Sequence, residues 1–252
     1  MLPAAPALGP VPAGAFEHME DKDRPVRFLD RSAAGHQLAR RLVPLLDGRT
    51  GAGVVVLGLA PGGLPVAAEV AEALGAPLDA TVVRALAVPG HDRPVGAIAD
   101  GDPPLFDRYT LKSLGVTSAE LGASVKRERV EVRRREALYR QGRTRLPLNG
   151  RTAVLVSDGL TDVLTTRAAL HALAADLPEH LILAAPIGDA RVAADLRRDV
   201  DQVVCLHLPR YAHAAGPWYG EFHDVTDREA AVLLRRYAPA EQPRAGHPAG
   251  RS

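Results

Sequence analysis

Short runs of consecutive apolar residues alternate along this chain with longer stretches whose apolar residues recur every three or four positions. Residues 53–59 (GVVVLGL) form such a run, as expected of a parallel strand buried on both faces. Before it, Asp30 or Ser32 can cap a helix on which Leu38, Leu42 and Leu45 share a face. After it, residues 64–74 read as a helix with Val66, Val70 and Leu74 inward, ended by Gly75. Residues 78–84 read as a second strand and 95–99 as a short third one with loop on either side. A long charged helix is expected over 118–140, then strands at 152–157, 181–186 and 202–208, with helices over 165–177, 189–198 and 226–236. Repeated strand–helix alternation predicts an α/β fold, an open mostly parallel sheet flanked by helices. The domain should run over 26–237, with a disordered lead at 1–25 and a disordered tail at 238–252, both rich in Pro, Ala and Gly. Ligands of such sheets sit at the carboxyl ends of the strands, so the loops to inspect follow Leu59, Arg84, Ser157 and Pro186.

Composition narrows the classes. A chain of 252 residues can bury a sizeable core, and a net charge of +1 exerts no global pull on nucleic acid or acidic membranes. Arginine far outnumbers lysine, which reads as a GC-rich coding bias and discounts arginine clusters as nucleic-acid signals. The single cysteine, Cys205, lies in an apolar run and cannot form an internal disulfide or a metal cage. No apolar run approaches the roughly 18–20 residues of a membrane span, and the proline-broken N-terminus is a poor signal peptide. A cytoplasmic protein without membrane partners is expected.

The segment 152–166 (TAVLVSDGLTDVLTT) concentrates the candidate chemistry. An apolar strand stops at Asp158, a short loop follows through Gly159 and Thr161, and a helix opens at Thr165 and Thr166. A helix N-terminus offers unpaired N–H groups and partial positive charge to a phosphate, and a carboxylate can accept hydrogen bonds from ribose hydroxyls. Asp162 can also cap the helix that begins near Val163. In the loop after the first strand, Gly62 and Gly63 let backbone N–H groups approach a pyrophosphate, or serve only a tight turn. Arg84 closes the second strand at the ligand end, where it faces an anion or joins a salt bridge. The Gly/Pro-rich stretch 84–96 that follows has the composition of a lid.

Other features have plainer readings. The basic cluster 126–145 is a nucleic-acid contact or a solvated helix face carrying pairs such as Glu131 with Arg134 and Arg135; the second is preferred. His207, His213 and His223 match no zinc spacing, so no metal site is expected from the protein's own residues. Trp218, Tyr219 and Phe222 read as a core plug.

Residues 27–236 resemble the type I phosphoribosyltransferase-like proteins. The resemblance is carried by GLAPGGLPVAAEVAEALGAPLD (58–79), VRALAVPG (83–90), VGAIA (95–99) and GRTAVLVSDGLTDVLTTRAAL (150–170), with FLDRSAAGHQLARRL (28–42) and GPWYGEFHDVTDREAAVLL (216–234) fitting as well. It implies displacement of pyrophosphate from phosphoribosyl diphosphate (PRPP) by a nitrogen nucleophile, or the reverse, with Mg²⁺ present when PRPP is bound. On it, Asp158 and Arg84 would be catalytic, and Gly62, Gly63, Gly159, Thr161, Thr165 and Thr166 substrate-binding. A nucleotide or PRPP-like small molecule is the expected partner, with a homodimer as a further expectation and nucleic acid not expected.

The sequence departs from the family pattern in three loops. Ser157 replaces the first of two acids, Asp162 stands at a threonine position and Val163 at a glycine position; an arginine before Gly62 and a lysine after Arg84 are gone. Asp162 beside a phosphate at about 4 Å would cost on the order of 4 kcal/mol at an effective dielectric near 20, roughly a thousandfold in affinity. Val163 would bring a β-branched side chain to a position needing positive φ. The expected function is therefore a phosphoribosyltransferase-like protein with a degenerate PRPP site, weak or inactive, retaining a nucleotide- or partner-binding role. The alternatives are an active phosphoribosyltransferase and a nucleic-acid-binding regulator acting through 126–145.

Overall fold

The computed structural model describes residues 28–237 except 47, 89, 92 and 93. The expected disordered lead and tail lie outside the described residues, as do Pro89, Asp92 and Arg93 of the expected lid.

The sheet grows from the apolar runs. Strands β1 (Val54–Ala60), β2 (Leu78–Ala87), β5 (Thr152–Val156), β6 (His180–Ile187) and β7 (Gln202–His207) are parallel; β3 (Pro94–Ala99) and β4 (Leu105–Phe106) add an antiparallel edge. The spatial order is β4-β3-β2-β1-β5-β6-β7. Strand β1 is central and buried on both faces: Val54 and Val56 join one core, Val55 and Leu57 the other. That is why its sequence is continuously apolar rather than alternating.

Helices cover both faces. Helix α1 (Arg31–Leu45) is capped by Asp30, whose carboxylate accepts from Ala33 N at 2.7 Å, and buries Leu38 and Leu42 with Leu45 half-buried. Helix α2 (Gly63–Leu74) stops where Gly75 takes φ +57°, a left-handed conformation that costs glycine little. The long charged helix is α4 (Gly122–Arg140), shorter at its start than the sequence predicts. Helices α5 (Val163–Ala174), α6 (Ala190–Leu196) and α7 (Asp227–Arg236) complete the layers.

Two differences from the sequence reading concern the edge. Helix α3 (Arg108–Leu114) occupies a stretch expected as loop; it has one buried residue, Leu111, too little apolar content for its period to show. Most of the supposed lid is strand: β2 runs on to Ala87 and pairs back with β3, Arg84 opposite Ile98, so the segment is a hairpin.

The basic stretch 126–145 is largely spent inside the fold. Glu131 pairs with Arg134 and Arg135, as the helical spacing predicts, Arg133 with Asp100, Arg140 with buried Asp79, and Arg145 with Asp176. The Tyr139 hydroxyl donates to Asp227 at 2.6 Å and ties α4 to α7. No helix among the described residues is long and apolar enough to cross a membrane.

Candidate functional site

The candidate residues meet at the carboxyl rim of the central strands. Strands β1 and β5 run in register, Gly58 opposite Val156, so the turns that follow face each other. Asp158 projects from the β5 end against the β1–α2 turn. An ideal Cβ on Gly62 would lie 2.5 Å from Asp158 Oδ2, so only glycine lets the turn pass this close to the carboxylate. Gly63 has the same constraint from the backbone, with its Cβ position 2.5 Å from Val156 O. Gly159 leaves room for Ala215, whose Cβ would be 2.5 Å away.

Asp158 is held by a residue the sequence reading did not single out. Arg31 Nε and Nη2 both lie 3.0 Å from Asp158 Oδ2. Arg31 Nη1 donates to His223 O at 2.7 Å, and its guanidinium carbon sits 3.8 Å over the Phe222 ring. The placement follows from the chain entry: Phe28 N donates to Trp218 O, Gly220 N to Phe28 O and Glu221 N to Leu29 O, which zips residues 28–29 onto the aromatic segment. Tyr219 donates its hydroxyl to Asp158 O at 2.7 Å and packs against Phe28 and Phe222. The aromatic patch is thus a core plug, and it also clamps the Arg31–Asp158 pair. Burial pushes the Asp158 carboxyl above the usual aspartate range, and the Arg31 cation opposes but does not cancel that rise. Phe28 and Arg31 lie in a segment carrying the family resemblance, but nothing in local spacing marks Arg31 as the partner of a residue 127 positions away.

The loop from Ser157 to Asp162 is bound to the neighbouring strand. It runs extended beside the β6 end: Ser157 N donates to Ala184 O, Leu160 N to Ile187 O, and Asp189 N to Leu160 O. Leu160 is fully buried in the core of that face. Ser157 Oγ closes a local turn with Gly159. Asp162, in extended conformation, then caps α5: its carboxylate accepts from Leu164 N at 3.0 Å, Thr165 N at 3.3 Å and Thr165 Oγ1 at 2.6 Å. Thr166 Oγ1 donates to Asp162 O at 2.8 Å. Two N–H groups and the Thr165 hydroxyl, on which a phosphate would draw, are therefore already joined to an internal carboxylate, and the Thr166 hydroxyl to the carbonyl of the same residue. Val163 is the first residue of the helix, and the non-glycine residues with positive φ among those described are Gln141 and Leu177. The strain expected at Val163 does not arise, because the loop takes a different path. Thr161 is half-buried between these anchors.

Arg84, at the β2 end of the rim, is engaged by a different carboxylate. Its Nε donates to Glu128 at 3.0 Å, so it joins the salt bridge that was one of its two readings. A resident Mg²⁺ does not fit the donor set. Asp158 is the acid retained at the β5 end, a guanidinium already lies 3.0 Å from it, and no group of three or more His, Cys, Asp or Glu side chains among the described residues could hold a metal. Cys205 is half-buried in β7, and burial pushes its thiol up to about 12, leaving it protonated and inert at neutral pH.

A mostly parallel sheet with an acidic strand end facing a glycine turn is the architecture of a phosphoribosyltransferase-like α/β protein. No family model matches the sequence. The chain is 39% identical over 210 residues to "Putative phosphoribosyl transferase Rv0571c" of Mycobacterium tuberculosis, and equally to its counterpart MT0597 in a second strain. Those matches cover 83% of this chain and 46% of each relative, so the chain spans about half the length of the curated relatives it matches. The crystal structure of TT1426 from Thermus thermophilus aligns with TM-score 0.70 at 33% identity, over 85% of this chain and 100% of that one. The chain belongs to the phosphoribosyltransferase-like family.

Proposed function

We propose that this protein is a phosphoribosyltransferase-fold binding protein whose PRPP site is closed from within, and that it transfers phosphoribose weakly or not at all. The observation that carries the reading is the Asp162 carboxylate seated on Leu164 N, Thr165 N and Thr165 Oγ1, where the family's 5′-phosphate would sit. A phosphate entering there must displace an anion that is part of the chain. The Arg31–Asp158 pair adds to this, because the carboxylate that would meet ribose hydroxyls already has a buried cation as its partner. The names of the mycobacterial relatives support the class of ligand, a phosphorylated sugar or nucleotide.

Calorimetric titration of PRPP with Mg²⁺ into the protein tests the reading. Little or no heat is expected with the unaltered chain, and binding should appear in Asp162→Thr/Val163→Gly. A micromolar dissociation constant for the unaltered chain, with pyrophosphate released in the presence of a purine or pyrimidine base, would establish the active-enzyme reading instead.

A further inference from the structure

At the β2 end of the rim the acid that meets the site comes from a helix, not from a strand-end loop. Val82 lies opposite Ala60, the last residue of β1, so Arg84 stands two residues beyond it, where the β1 chain has already turned off through Gly62. The Arg84 side chain is 35% exposed. Its Nε donates to Glu128 Oε2, and the other carboxylate oxygen, Oε1, accepts from Arg127 Nε at 3.1 Å.

Glu128 is placed for this contact. The buried residues of α4 are Ser124, Glu128, Val132 and Tyr139, so the acid lies on the inward line of the helix, between Ser124 one turn before it and Val132 one turn after. Packing alone does not call for a charge there, because well-packed apolar residues often replace a buried ion pair without loss. The effect of the acid is electrostatic: an anion arriving at Arg84 meets a guanidinium whose charge is already balanced from 3.0 Å away. The same arrangement holds at the two neighbouring positions of the rim, where Arg31 from α1 sits on Asp158 and the Asp162 carboxylate on the first amides of α5. Three groups of the rim thus each have an in-chain partner of opposite sign, and α1 and α4 supply two of those partners from outside the strand-end loops.

We propose that Glu128 is an autoinhibitory residue: through it α4 withholds Arg84 from anions. This rests on the closed-site reading above and adds to it a second internal acid, on a different element from Asp162. Calorimetric titration of inorganic pyrophosphate, without metal and at low salt, into the full chain tests it. Glu128→Gln keeps the side chain's shape and removes its charge, and should tighten binding about tenfold. Arg84→Ala should change the affinity of the unaltered chain less than twofold, yet abolish the gain when combined with Glu128→Gln. Asp195→Asn, which removes one exposed carboxylate on α6, should give no gain. Affinity that is unchanged or weaker in Glu128→Gln overturns the proposal, the weaker case because Glu128 would then orient Arg84 for an anion instead of withholding it. A gain that survives without Arg84 overturns it as well. The Arg84 Nε–H resonance supplies a reading that needs no variant: it should stay in place while pyrophosphate is added to the unaltered chain, and movement there refutes the withholding. A micromolar PRPP dissociation constant for the unaltered chain would sink the closed-site reading, whereas the comparison of Glu128→Gln with its parent decides this proposal by itself.

Discussion

Removing the Asp162 carboxylate should weaken the fold and free an anion site in the same stroke. In Asp162→Ala the cap on Leu164 N and Thr165 N is lost, together with the Thr165 hydroxyl's acceptor. Loss of a cap costs about 1 kcal/mol, and loss of a negative charge at a helix N-terminus about 0.3–1 kcal/mol more. The sum, about 1.3–2 kcal/mol, lowers the melting temperature by roughly 3–8 °C in a domain of this size. The vacated N–H groups then face solvent with the helix dipole behind them, and phosphate can take the carboxylate's place. At ten times its dissociation constant, phosphate returns about 1.4 kcal/mol, most of the loss. Thermal unfolding of both proteins in chloride and in phosphate at matched ionic strength measures this. The quantity to read is the difference between the two phosphate shifts, since anion binding elsewhere on the protein contributes equally to both. Asp162→Asn separates the two costs, because an amide oxygen still caps but carries no charge. Equal phosphate shifts in the two proteins, or an Asp162→Ala variant as stable as the parent, would refute the idea that this carboxylate substitutes for a phosphate.

Arg31→Ala strands a buried carboxylate and should cost about 3–5 kcal/mol in urea unfolding; a loss under about 1 kcal/mol would mean that Asp158 finds water or another donor. Gly62→Ala places a Cβ against Asp158 Oδ2 and should cost about 1–3 kcal/mol by overpacking, read as a lower denaturation midpoint, whereas Gly75→Ala is opposed only by its positive φ. Asp158 titrates above the ordinary aspartate range when folded, so the folded state binds the extra proton. Its contribution to stability therefore falls as pH rises from the ordinary carboxylate value through the raised one. Carbon NMR of the carboxyl should find that raised midpoint, and it should climb further in Arg31→Ala.

Much of this architecture was legible because it is local. The continuous apolar run of β1 announces a strand buried on both faces. Asp162 ahead of Val163 announces a cap, since the amides it serves are two and three residues on. Gly75 announces a helix end. Helix α3 and the β2–β3 hairpin were not legible: one has too few buried residues to show a period, and the other hides its pairing in a stretch whose glycines and prolines have the composition of a loop.

By itself the sequence determined the layers, the mostly parallel character of the sheet, the caps, and the presence of an acid at a helix start, the place a phosphate would take. Tertiary structure alone decided that Arg31 reaches Asp158, that Gly62 is bare because a carboxylate occupies the space beside it, and that Arg84 turns to Glu128. The division has a physical cause. Periodicity and capping act within a few residues and leave a trace in spacing, whereas an ion pair or a close approach joins positions far apart in the chain, and they meet only once the sheet has set its register.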